Sequence, residues 1–139
     1  MQFKRIMVPV DLAHIEKLEG ALSCAADLAR HYDIPITYVG VTGTAPSSIA
    51  HNPTEFGQKL EEFSKAEGVR RGVAAAAYYS VANDPTAEVD DALLRAIQHT
   101  KSDFVVMASH LPGVFDHIWP SNGGKLAEHA KCSVMLVRL

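Results

Sequence analysis

Five short apolar runs alternate with four longer stretches whose apolar residues recur at helical spacing, and this alternation narrows the fold more than any single motif does. The runs are residues 3–10 (FKRIMVPV), 36–42 (ITYVGVT), 73–81 (VAAAAYYSV), 103–107 (DFVVM) and 133–138 (SVMLVR). The near-continuous apolar character of the first run suggests a strand covered on both faces, as in a parallel sheet. The alanines of the third would also suit a helix, but a strand must fall there to keep the alternation. The first helical stretch, residues 14–33, carries Leu18, Ala21, Leu22, Ala25, Leu28 and Ala29, and Asp33-Ile34-Pro35 ends it, because the residue before proline avoids the helical region. A Gly/Pro/Ser/Asn-rich loop, residues 43–53, leads to a second helix over residues 54–68, with Thr54 as its cap and Phe56, Leu60 and Phe63 as its stripe. Asn83-Asp84-Pro85 opens a third helix to about residue 100, bearing Val89, Leu93, Leu94 and Ile97. Ser121 or Asn122 caps a fourth, which holds Leu126 and Ala130.

The expected fold is therefore α/β: a doubly wound, five-stranded parallel sheet with helices on both faces, built by right-handed crossovers from one domain over residues 1–139. Ligands in such sheets lie beyond the carboxyl ends of the strands, where strand order reverses. The candidate positions are Pro9, Val10 and Asp11 after the first strand, Val41 and Thr42 after the second, and Ala108 to Asn122 after the fourth. The last region is a strand, a glycine-bearing loop and a helix N-terminus. That geometry suits phosphate, because free backbone N–H groups and the helix dipole point at the ligand.

Composition removes several alternatives. A net charge of -3 and a pI of about 6.1, with no basic stripe, argue against a nucleic-acid partner. No apolar run approaches the roughly 20 residues that span a bilayer. Met1-Gln2-Phe3-Lys4-Arg5 runs directly into a strand pattern with no signal-peptide core, so a cytoplasmic location is expected. Two isolated cysteines, Cys24 and Cys132, make neither a disulfide framework nor a zinc site and read as small buried hydrophobes.

Three segments together, KRIMVPVD at the start, VVMASH at the end of the fourth strand and HAKCSVMLVR at the close, resemble the universal stress protein family over the whole chain. The resemblance implies strand order 3-2-1-4-5, commonly a homodimer, and in nucleotide-binding members an ATP site written G-x2-G-x9-G-[ST]. This chain departs from that signature. Ala108 stands for the first glycine, followed by the matching pair Ser109 and His110; Leu111 stands for the second. Eight residues, Pro112 to Trp119, replace the usual nine, Pro120 stands for the last glycine, and Ser121 keeps the hydroxyl. A strict nine-residue count lands instead on Ser121 and Asn122, again without glycine. The methyl of Ala108 is tolerable if φ is negative there. Leu111 restricts φ and ligand approach, and Pro120 removes a backbone donor. Gly113, Gly123 and Gly124 restore flexibility in shifted places.

Several residues admit two readings. Asp11 contacts nucleotide or its magnesium, as the resemblance implies, or caps the first helix. Val41 would offer its main chain to an adenine edge, as in the nucleotide-binding relatives. Lys125 in the first turn of the fourth helix either has an anion nearby or is a tolerated surface lysine. Phe115, Ile118 and Trp119 form a lid, meet a partner or pack on their own domain. His110, Asp116, His117 and His129 match no short zinc motif, and no nucleophile elbow, Cys–His pair or P-loop is present. The last strand is an apolar sheet edge, which invites edge-to-edge dimerisation. The expectation is a homodimeric stress-response module with a degenerate crevice for ATP or another adenine nucleotide, with or without magnesium. A module that binds no nucleotide and works through dimerisation or protein partners is the alternative. An enzyme, a weak nucleotide hydrolase, ranks last because no general base or nucleophile is evident.

Overall fold

The computed structural model describes residues 2–109 and 123–138. Its elements are β1 (Ile6–Pro9), α1 (Glu19–Tyr32), β2 (Ile36–Thr42), α2 (Pro53–Arg71), β3 (Ala75–Val81), α3 (Pro85–Thr100), β4 (Phe104–Ser109), α4 (Gly123–His129) and β5 (Ser133–Arg138). The five strands form one parallel sheet in the order β3-β2-β1-β4-β5, as expected. The order reverses after β1, so right-handed crossovers place α1 and α2 on one face and α3 and α4 on the other. The side chains agree. Glu19 at the start of α1 is ion-paired with Arg70 and Arg71 at the end of α2, and α3 packs against α4.

Burial follows position in the sheet. The central strand β1 is buried throughout, and β4 is buried up to Ala108. The outer strands β3 and β5 alternate between half-buried and exposed residues, because each has only one neighbour. The core gathers Ile6, Met7, Tyr38, Leu60, Leu93 and Met107, each at most 1% exposed. Tight packing on α2 needs two glycines in particular: a Cβ on Gly40 would stand 2.7 Å from Cζ of Phe56, and one on Gly57 would run into the Tyr79 ring.

Element ends differ from expectation for identifiable reasons. The first helix begins as a 3-10 segment over Leu12–Leu18, kinked at His14 (φ -137°, ψ 37°), before α1 takes over. Its end is as read: Asp33 turns left-handed (φ 56°), and its N–H donates to the last carbonyls of the helix. Helix α2 is capped by Asn52, not Thr54. Asn52 Oδ1 accepts from the Glu55 N–H at 2.8 Å, and Pro53 fits the first helical position because its missing N–H would have had no partner. At the other end Gly72 adopts φ 66°, so α2 runs past Gly68 to Arg71. Asp84 caps α3, and Glu88 returns a carboxylate to the Asp84 N–H at 2.8 Å. Strand β4 continues two residues beyond Met107, where Ala108 and Ser109 pair with Val137 and Arg138. The cap proposed for α4, Ser121 or Asn122, lies outside the described residues.

Candidate functional site

The site begins with the direction of the β1 backbone. Ile6 N–H donates to the Pro35 carbonyl at 3.0 Å and Val10 N–H to the Val39 carbonyl at 2.8 Å, so the even-numbered residues face β2. The odd-numbered residues face β4: the Arg5 carbonyl accepts from the Asp103 N–H at 3.2 Å. Pro9 is the odd-numbered residue at the end of β1, and it has no N–H to give. The β1–β4 ladder accordingly registers only Ile6↔Phe104 and Met7↔Val105. The β1–β2 ladder meanwhile continues to Pro9↔Val39. Past Met7 the ladder between the two central strands ends at the point where strand order reverses, which is where a ligand crevice is expected to open its mouth.

Pro9 and Val10 form a buried floor at that mouth. Asp11 stands on its rim, half-buried, with both oxygens engaged. Oδ1 accepts from the Ala13 N–H at 3.0 Å, and Oδ2 lies 2.8 Å from Nδ1 of His14. Of the two readings of Asp11, the cap is therefore present. Ala108 is 2% exposed, still within β4, and belongs to the core cluster. Among the described residues only Asp33 and Lys101 are non-glycine residues with positive φ, so Ala108 occupies backbone that needs no glycine. Ser109 follows, half-buried, as the last residue of β4. On the β2 side, Val41 and Thr42 are half-buried near the strand end, and Thr42 accepts from the Ala82 N–H at 2.9 Å. A Cβ on the next residue, Gly43, would come within 3.0 Å of Pro85 at the start of α3.

The fold thus gathers Pro9, Val10, Asp11, Val41, Ala108 and Ser109 at the carboxyl ends of three adjacent strands. His110, Ser121 and Asn122 lie outside the described residues, as do Leu111, Phe115, Asp116, His117, Ile118, Trp119 and Pro120. Sequence reading did not anticipate that His14 is a rim residue. A histidine three positions after a capping aspartate, on the same side of the first turn, was the available signal.

Electrostatics around α4 add one unforeseen relationship. Asp90 on α3, Lys125 and His129 on α4 line a shared cleft of about 170 Å³. Burial pushes the Asp90 carboxyl up, and the Lys125 charge opposes that shift. The exposed Lys125 thus shares its cleft with a carboxylate of the protein itself. His129 Nδ1 is bonded locally, 2.9 Å from the Lys125 carbonyl. Among the described residues, no group of three His, Cys, Asp or Glu side chains could hold a metal ion. No helix there is long and apolar enough to cross a membrane. Both cysteines are free and half-buried, with Cys24 Sγ 3.6 Å from Met135 Sδ rather than fully enclosed.

Comparison with known proteins agrees with this architecture. Residues 2–138 match the sequence pattern of the Universal stress protein family. Universal stress protein G of Salmonella typhimurium is 25% identical over 144 residues, covering 98% of this chain and 99% of that protein. A universal stress protein family structure from Burkholderia pseudomallei superposes with a TM-score of 0.68 at 23% identity, covering 96% of this chain and 95% of the other. An Arabidopsis thaliana family member with AMP bound gives 0.66 at 21% identity, covering 97% and 90%. With the sheet order and the whole-length match in agreement, the chain belongs to the universal stress protein family.

Proposed function

We propose that the chain is a homodimeric cytoplasmic stress-response module that holds an adenine nucleotide in the crevice between β1 and β4, with weak or no turnover. The observation that carries this reading is the end of the β1–β4 ladder at Met7 and Val105, where Pro9 has no N–H to continue it and strand order reverses. Val41 at the end of β2 would offer backbone donors and acceptors to the adenine edge. Ser109, His110, Ser121 and Asn122 would meet the phosphate. The AMP bound to the Arabidopsis relative supports the ligand class. Magnesium, if used, would have to share Asp11 with Ala13 and His14. The dimer would form through β5, whose outer edge is free of charge until Arg138.

Titration with AMP and with ATP, with and without magnesium, should give saturable heat with one site per chain. Absence of heat under all four conditions overturns the binding reading. It would favour a second one, a dimerisation module with a lost pocket, for which the prior engagement of the Asp11 carboxylate speaks. Steady release of ADP or phosphate above a Ser121→Ala control would replace binding by hydrolysis. For the dimer, Val134 and Leu136 are packed against the core, whereas Met135 is 37% exposed. Met135→Lys should therefore shift sedimentation from dimer to monomer, and an unchanged profile removes β5 from the interface.

A further inference from the structure

The opposite edge of the sheet carries a second surface, independent of the nucleotide reading. Strand β3 is paired on one side only, in register with β2 from Ile36↔Ala75 to Thr42↔Val81. Two bonds fix its direction. Ile36 N–H donates to the Ala74 carbonyl at 2.9 Å, and Ala82 N–H to the Thr42 carbonyl at 2.9 Å. Backbone groups alternate along a strand, so Ala74, Ala76, Tyr78, Ser80 and Ala82 face β2. Ala75, Ala77, Tyr79 and Val81 therefore point their N–H and C=O groups outward, where no described residue meets them.

Natural sheet edges are usually blunted by lysine, proline or a bulge. Strand β3 has none of these: AAAYYSV contains no charge, no proline and no glycine. Two of its residues, Tyr79 and Val81, are large apolar side chains exposed by 38% and 43%.

We propose that this edge pairs antiparallel with β3 of a second copy of the chain, about a two-fold axis beside Tyr78. Two features single out a second copy as occupant. In that register Ala77 meets Tyr79 of the other copy and Ala75 meets Val81, so every outward N–H and C=O of both strands is bonded. The same pairs set a small side chain against a large one on the α2 face, while Tyr78 meets its own equivalent on the α3 face. A two-fold contact of this kind is isologous and leaves β5 free, so together with a β5 contact the two edges would alternate along an extended assembly.

The test is a cysteine placed on the axis. In a chain carrying Cys24→Ser and Cys132→Ser, Tyr78→Cys should oxidise to a 78–78 disulfide. Directly opposed residues in a non-hydrogen-bonded pair lie about 4.5 Å apart at Cα, within disulfide reach. Ala77→Pro deletes an outward N–H without touching the β2 ladder, and Val81→Lys places a charge on the edge. Each should cut the crosslinked fraction by about tenfold, a change of roughly 1.4 kcal/mol in association. Circular dichroism melting checks that each variant folds, and Val81→Lys stands alone if Ala77→Pro does not. Absence of the 78–78 link overturns the proposal, since a dimer through β5 alone keeps the two β3 strands at opposite ends of the assembly. A link that persists at full yield in folded Val81→Lys overturns it equally.

Discussion

The carboxylate of Asp11 lies 2.8 Å from Nδ1 of His14 while its other oxygen accepts the Ala13 N–H at 3.0 Å, so one side chain both starts the 3-10 segment and fixes the rim of the crevice. Replacing it separates the two roles. Asp11→Asn keeps a capping oxygen and should change stability little. Asp11→Ala removes the cap and should cost about 1 kcal/mol by urea denaturation. Nucleotide affinity unchanged in Asp11→Asn would limit the residue to capping, whereas a loss there would show that its charge reaches the ligand.

Tyr38 is fully enclosed, and its hydroxyl has no hydrogen-bond partner among the described residues. Burial, with Glu67 nearby, pushes the phenol up from 10.0 to about 12. A raised value means that the folded state keeps its proton when the unfolded chain has lost it. The contribution is therefore complete below pH 10 and disappears as pH rises towards about 12. Tyr38→Phe should flatten the alkaline limb of a stability–pH curve. It should also raise stability at neutral pH by about 1 kcal/mol, because an unpaired buried hydroxyl is removed. A destabilised Tyr38→Phe would mean that the hydroxyl does have a partner.

Glu67 and Arg71 form an ion pair at 2.8 Å, with side chains only 8% and 10% exposed. Removing Arg71 leaves the buried Glu67 carboxylate with only Arg70 at 3.5 Å, so Arg71→Met should cost up to about 3 kcal/mol, and adding Glu67→Met should recover much of it. A single variant as stable as the parent would contradict this. Arg71 also bonds Glu19, and that bond holds the Glu19 carboxyl below its ordinary 4.5. A lowered carboxyl contributes stability above pH 4.5 that fades as pH falls through its shifted value. Glu19→Gln should therefore soften the acid limb, measured by thermal melting between neutral and acidic buffers.

Gly40 leaves room for the Phe56 ring, whose Cζ would stand 2.7 Å from an added Cβ. Phe56 is only 6% exposed, so it has little freedom to yield. Gly40→Ala should cost about 1–3 kcal/mol from overpacking. Phe56→Leu in the same chain should lessen that cost, and strictly additive losses in a double-mutant cycle would show that the two positions do not touch.

Strand count and the doubly wound arrangement were readable because they rest on local pattern, while the strand order came with the family resemblance. Apolar periodicity reports which faces are buried, and the right-handed crossover turns element order into topology. Where reading stopped short, the missing information was tertiary. Thr54 looked like the α2 cap because the choice between it and Asn52 depends on how the loop enters the helix. Strand β4 was ended at Met107 because only pairing with Val137 and Arg138 carries it to Ser109. The alanine-rich third run had no decisive propensity, and a place beside β2 made it a strand.

The amino-acid sequence by itself determined the doubly wound sheet, the family resemblance and the residues that end beside the strand reversal. It also contained the proline that ends the β1–β4 ladder, though not which neighbour its missing N–H would have met. Only the tertiary structure decided that the missing N–H of Pro9 faces β4 and that the methyl of Ala108 turns into the core. It decided too that the Asp11 carboxylate closes on Ala13 and His14. Each of these depends on which way a backbone or side-chain bond points, and direction is set by neighbours distant in sequence.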